Sequence, residues 1–145
     1  MNAPADDPAT PLARKLGVSP GMRVAVVGAP PGFDGRLEEA TVRARLRGSF
    51  PVIVLFCGSI AALERRLDGA LAALEPHGGL WIAWPKRGSG VRSDLDERTV
   101  RELGLATGLV DNKVCAIDET WSGLRFVERR EARRALSRLP AGEPR

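Results

Sequence analysis

Four short, continuous apolar runs set the rhythm of the chain: residues 23–27 (RVAVV), 52–56 (VIVLF), 80–84 (LWIAW) and 114–117 (VCAI). The first three, closed by turn residues, have the pattern of strands buried on both faces, as in a parallel sheet, and 114–117 reads as a fourth strand. Helical periodicity fills the gaps. Residues 12–16 suit a short helix that Gly17 stops, followed by a turn at 19–21. Residues 34–48 place Leu37, Ala40 and Ala44, with Val42 and Leu46, among charges, which predicts a mostly exposed helix. After Ser59, a good N-cap, Leu63, Leu67, Ala70, Leu71 and Leu74 share one face, with Glu64, Arg65, Arg66 and Asp68 on others, and Pro76 to Gly79 reads as the stop.

A third helix is expected after Ser93 or Asp94, because Asp96 and Glu97 stand three residues beyond them in capping-box register. Leu95, Thr99, Leu103 and Ala106 would face inward, with Gly108 just past the end. Residues 124–128 form a fifth strand, too close to 114–117 for a crossover, so these two must be antiparallel. Asp111, Asn112 and Lys113 read as a turn before the fourth strand. The expectation is an α/β fold: a mostly parallel, Rossmann-like three-layer sandwich with a C-terminal antiparallel hairpin, built by right-handed crossovers.

Length changes this picture little, since 145 residues fit one domain. Residues 1–11, rich in Pro, Ala and Asp, read as a disordered tail, 12–128 as the domain, and 129–145 as a basic C-terminal helix (129–139) and tail. No apolar run approaches the roughly 20 residues of a membrane span, and the N-terminus lacks a signal-peptide core, which makes the cytoplasm the default address. Cys57 and Cys115 lack CxxC spacing and read as buried small hydrophobes. With one histidine, no metal-ligand spacing exists. The net charge of +4 arises largely in the tail, where six arginines oppose three glutamates between residues 128 and 145. No aromatic-interleaved basic stripe accompanies it, which disfavours nucleic acid as partner.

In an open α/β sheet, ligands bind beyond the carboxyl ends of the strands. Those exits are 28–32 (GAPPG), 57–59 (CGS), 85–90 (PKRGSG) and 118–122 (DETWS), and all four should open on one edge. The candidate ligand-binding residues are therefore Gly28, Pro30 and Gly32 of the first loop, Ser59, Lys86, and Asp118, Trp121 and Ser122 of the last. Together with Arg87 and Glu119 they would offer cations, hydroxyls, acids and an apolar wall to a small anionic or nucleotide-like ligand. Pro30 and Pro31 remove two amide donors from the first loop, and no GxGxxG is present, so a rigid strand-exit turn is the favoured reading of that loop. A structural account of the rest is available too: Lys86 pairing with Asp118 and Trp121 covering the hairpin. His77, in a helix-terminating turn, is not a catalytic candidate. No catalytic or metal residue is assigned.

The segments LARKLGVSPGMRVAVVGAPPGF, WIAWPKRGSGV and DNKVCAIDETWSGLRFV resemble the bacterial domain-of-unknown-function family 3052 over residues 11 to about 130. The layout is also similar to a shortened class I S-adenosylmethionine-dependent methyltransferase, with 23–28, 52–56 and 80–86 standing for its first, fourth and fifth strands and the terminal pair for its closing hairpin. That resemblance implies an acid and a GxG loop at the first strand and an acid after the second. This chain has GAPPG instead, and only residues 34–48 where two strands would lie. The reading that follows is a non-catalytic, small-ligand-binding or protein-interaction module, which would self-associate as a homodimer through the sheet edge left open by the lost strands. The alternative is a minimal methyltransferase or other nucleotide-cofactor enzyme, with S-adenosylmethionine as the cofactor.

Overall fold

The computed structural model describes residues 11–37 and 39–129. Within them runs one six-stranded sheet, in the order β2-β1-β3-β4-β6-β5. The strands are β1 (Arg23–Val27), β2 (Thr41–Arg43), β3 (Phe50–Phe56), β4 (Leu74–Pro85), β5 (Val110–Ala116) and β6 (Trp121–Val127). Helices α1 (Leu12–Leu16), α2 (Ile60–Ala73) and α3 (Glu97–Leu105) and a 3₁₀ turn (Phe33–Leu37) pack on its two faces. β1 pairs in parallel with β2 and β3, and β3 with β4. β6 runs antiparallel to both β4 and β5, so β5 points the same way as β4. The three-layer α/β sandwich and its closing hairpin are as the sequence pattern predicts.

Alternation along the central strands divides the core into two layers. Leu80, Ile82 and Trp84 of β4 face α2 and α3, packing with Ile53, Leu55, Leu63, Val100, Leu124 and Phe126. Trp81 and Ala83 face the other way, with Val24, Val54, Phe56, Leu12, Leu16 and Phe33. Trp81 is fully buried, and its indole N–H donates to the Leu16 carbonyl at 2.9 Å. That bond satisfies a carbonyl left over at the end of α1, whose chain turns away at Gly17 with φ 77°.

Several local expectations are corrected. Residues 34–48 do not form a helix. The chain makes the 3₁₀ turn, then β2, and returns to β3 as an irregular loop. Leu37 and Phe33 supply the buried contacts, and only Leu46 of the loop reaches the α2 layer. One of the two strands missing from the expected layout is thus present as a three-residue β2. Pro76 to Gly79 do not end a helix. α2 stops at Ala73, and these residues are the start of β4, where Leu74 already pairs with Phe50. Gly78 fits there because any Cβ would lie 2.7 Å from the Pro51 carbonyl oxygen. His77 accordingly sits at the amino end of β4, away from the strand exits.

The N-cap of α3 is Asp96, whose carboxylate accepts from Thr99 N–H at 2.8 Å, not Ser93 or Asp94. The helix therefore starts later, and its buried face is Val100 and Gly104, with Leu103 alongside, while Ala106 is exposed. Asp111, Asn112 and Lys113 are not a turn but part of β5, with a break in register between Asp111 and Lys113. Asp111 instead pairs with Arg101 of α3 at 2.9 Å. β6 begins at Trp121 rather than at residue 124. The predicted helix at 129–139 and the tail at 1–11 lie, but for Arg129 and Pro11, outside the described residues.

Candidate functional site

The exits of β1, β3, β4 and β5 open on one edge of the sheet, and the two loops singled out from the sequence do meet there. Lys86 N–H donates to the Thr120 carbonyl at 2.7 Å, one step beyond the Pro85–Trp121 pair that ends the β4–β6 ladder. The DETWS turn is held by Asp118, whose Oδ1 accepts from Thr120 N–H and Trp121 N–H, both at 2.8 Å. Asp118 is thereby committed to the backbone, and no ion pair joins it to Lys86 among the described residues. Arg36 of the 3₁₀ turn donates to the Ile117 carbonyl at 3.1 Å, tying the first exit loop to the last.

The site residues divide between the two faces. Trp121 is half-buried and meets Phe56 edge-on at 5.1 Å, and Phe56 meets Phe33 edge-on at 4.8 Å. This aromatic trio closes the α1 layer at the carboxyl edge, so Trp121 is first of all a packing residue. Ser122 pairs with Trp84 and Ala116 inside the sheet, on the opposite face from its neighbour Trp121. Ser59 caps α2, its Oγ accepting from Ala62 N–H at 3.1 Å. Pro30 gives its carbonyl to Phe33 N–H, which starts the 3₁₀ turn. Gly28 and Gly32 both adopt left-handed backbone, with φ 74° and 81°.

Two residues outside the candidate ligand-binding set complete the edge. Arg66 of α2 reaches across the β1 exit. Its Nη1 donates to the Phe56 carbonyl at 2.6 Å, and a Cβ on Gly28 would fall 2.6 Å from that nitrogen. The guanidinium also acts on Cys57 next door, where it opposes burial, which on balance raises the thiol pKa above its ordinary value. The signal was present in the helix pattern: Arg66 stands three after Leu63 and four before Ala70, inside the apolar stripe of α2 rather than on its solvent face. The second is Asp94. Its Oδ1 accepts from Ile60 N–H at 2.8 Å, so the loop after β4 folds back and caps α2 together with Ser59. Between this loop and α2 lies an open groove of about 640 Å³, lined by Gly58, Ser59, Arg87, Val91, Arg92 and Asp96 among others.

The sequence matches no protein-family model and no curated protein. The resemblance to family 3052 is therefore not supported. Solved structures do match. The chain aligns with DhpI in complex with SAH at a TM-score of 0.56 and 11% identity, covering 81% of this chain and 82% of that one. It aligns with ribosomal protein L11 methylase from Lactobacillus delbrueckii subsp. bulgaricus at 0.52 and 12%, covering 81% and 74%. A third is magnesium protoporphyrin IX methyltransferase (ChlM) from Synechocystis PCC 6803 with bound SAH, at 0.51 and 10%, covering 75% and 74%. The fold is methyltransferase-like.

The position over the first strand's exit loop is filled by Arg66, and β2 ends at Arg43, followed by Ala44 and Arg45, where the resemblance implied an acid. No described cluster of His, Cys, Asp or Glu is arranged to hold a metal, and no described helix is long and apolar enough to cross a membrane.

Proposed function

We propose that this chain is a minimal protein of the methyltransferase type, binding a carboxylate-bearing adenosyl ligand of the S-adenosylmethionine class at the carboxyl edge of its sheet. The observation that carries the reading is the Arg66 guanidinium over Gly28, the place where a nucleotide-type sheet brings ligand to backbone. Pro30 and Pro31 cost this loop two amide donors, and the guanidinium restores positive charge there in a form that grips a carboxylate through two parallel bonds. The structural neighbours, two of them bound to SAH, support the ligand class.

The residues fit such a ligand in part. Arg66 would hold its carboxylate, and Gly32, where a Cβ would meet no atom within 4 Å, leaves room beside it. Nothing at the end of β2 matches the acid that would take ribose hydroxyls. S-adenosylmethionine, when bound, supplies an electrophilic methyl group. The groove beside Ser59 and Arg87 would take the acceptor. Asp118 is bound into its turn and His77 lies at the far end of β4, so neither is placed to take a proton from that acceptor. An acceptor that is already nucleophilic fits this edge best.

A second reading, a non-catalytic binding or interaction module, is favoured by the arginines that replace the acid after β2. Its homodimer would use the outer edge of β2, since the register break at Asp111 and the exposed Lys113 blunt the edge at β5. Calorimetric titration with S-adenosylhomocysteine separates the two readings. One saturable site per chain, lost on Arg66→Ala, supports the first. Absence of heat at millimolar ligand leaves the second.

A further inference from the structure

Beside the short outer strand β2, between the amino end of β1 and the loop that follows β2, four arginines surround one open depression of about 450 Å³: Arg23, Arg43, Arg45 and Arg47, with Ala44 as the remaining lining residue. The loop alternates. Leu46 turns inward against α2, where its Cδ1 lies 3.5 Å from the Cβ position of Gly69, and Arg45 and Arg47 are left facing solvent. Arg23 is fixed from below, donating to the Ser49 carbonyl at 3.1 Å and the Arg47 carbonyl at 3.3 Å, with its guanidinium 4.4 Å above the Phe50 ring. Among the described residues Arg43 donates only to its neighbour's carbonyl, Val42, at 3.3 Å. Among the described residues no ion pair joins any of the four to an acid.

Surface arginines so close together repel one another, and although Arg23 holds the loop and covers Phe50, Arg43, Arg45 and Arg47 are exposed and make no core contact. We propose that this depression is a docking surface for the phosphodiester backbone of nucleic acid. Charge complementarity sets the partner: four guanidinium groups line the depression with no acid among the lining residues, and guanidinium forks match phosphate oxygens two at a time. The one aromatic ring at the site, Phe50, is fully buried beneath Arg23, so no base can stack there. Binding is therefore to backbone alone and independent of sequence. Its lining shares no residue with the exit loops or with the groove beside Ser59, and it does not rest on the ligand proposed there.

The test is fluorescence anisotropy of the full chain with a short labelled duplex of mixed sequence, across a salt series. With up to four phosphates neutralised, log K should fall against log[salt] with a slope of about −3 to −4. Each of Arg43→Ala, Arg45→Ala and Arg47→Ala should reduce that slope by about 1 and weaken binding to every sequence alike. Arg98→Ala, an exposed α3 arginine paired with Glu102, should leave binding unchanged. The triple variant that combines these three substitutions should lose most of the binding; the thermal midpoint of each variant checks folding, and Arg47→Glu alone serves where the triple variant is unstable. The proposal is overturned by absence of binding at low salt, by wild-type binding in the triple variant, which would assign the arginines of residues 129–145 instead, or by binding to anionic vesicles without binding to the duplex.

Discussion

Replacing Gly28 with alanine probes the candidate site and the packing around it together. The new Cβ would stand 2.6 Å from Arg66 Nη1 and 2.7 Å from the Phe56 carbonyl oxygen, at a backbone φ of 74°. Left-handed backbone costs a residue with a Cβ about 1–2 kcal/mol. Overpacking against neighbours that must shift by several tenths of an ångström adds about 1–3 kcal/mol, giving roughly 2–5 kcal/mol in all. The guanidinium is the softer of the two obstacles. Arg66→Ala alone loses a charge-assisted bond to a carbonyl at a half-exposed position, worth about 1–2 kcal/mol after allowance for solvent. In the Arg66→Ala background, Gly28→Ala should then cost about 1 kcal/mol less, because only Phe56 and the backbone angle remain against it. Urea denaturation of the wild type, both single variants and the double variant measures this coupling. Additivity within about 0.5 kcal/mol would mean that Arg66 does not occupy the exit loop, and would refute the arrangement described.

Trp81→Phe should destabilise the protein by about 2–4 kcal/mol in thermal or chemical denaturation, since it removes the bond to Leu16 and leaves a buried void between α1 and the sheet. The Asp96 carboxyl is held below the ordinary aspartate range, first by the Thr99 N–H bond. The stability it contributes is therefore present above that ordinary range and lost as pH falls through the lowered value. Asp96→Ala should be less stable than wild type at neutral pH, and the gap in thermal midpoint should close in strong acid. A gap that persists unchanged there would contradict the cap. Cys57 and Cys115 are both buried, and burial raises the Cys57 thiol pKa, so an aromatic disulfide reagent at neutral pH should label neither in the native protein and both in denaturant.

What the sequence made legible follows physical signals of different strength. β1 was readable residue for residue because a β-branched run between turn residues has few alternatives. So was the start of α2, because Ser59 both caps the helix and ends a buried strand. The stretch 34–48 misled because its spacing of small apolar residues satisfies helical period, while the contacts that decide it, Phe33 and Leu37 under the sheet, come from tertiary packing. Pro76 to Gly79 looked like a helix stop, yet β4 needs glycine there to pass the Pro51 carbonyl and the Arg125 side chain. At the site, the meeting of the PKRGSG and DETWS loops followed from topology alone. The roles of Arg66 and Asp94 did not, because each acts on an element distant from it in sequence: Arg66 on the exits of β1 and β3, Asp94 on the first turn of α2.

The measurement that bears most directly on the proposed function is calorimetric titration of the full chain with S-adenosylhomocysteine, repeated on Arg66→Ala. Saturable binding at one site per chain is expected, with a thermal midpoint that rises as ligand is added. The Arg66→Ala variant, folded by circular dichroism, should bind about ten-fold or more weakly, as loss of a charge-assisted pair requires. No heat and no thermal shift at millimolar ligand, or equal binding by wild type and variant, would contradict the account.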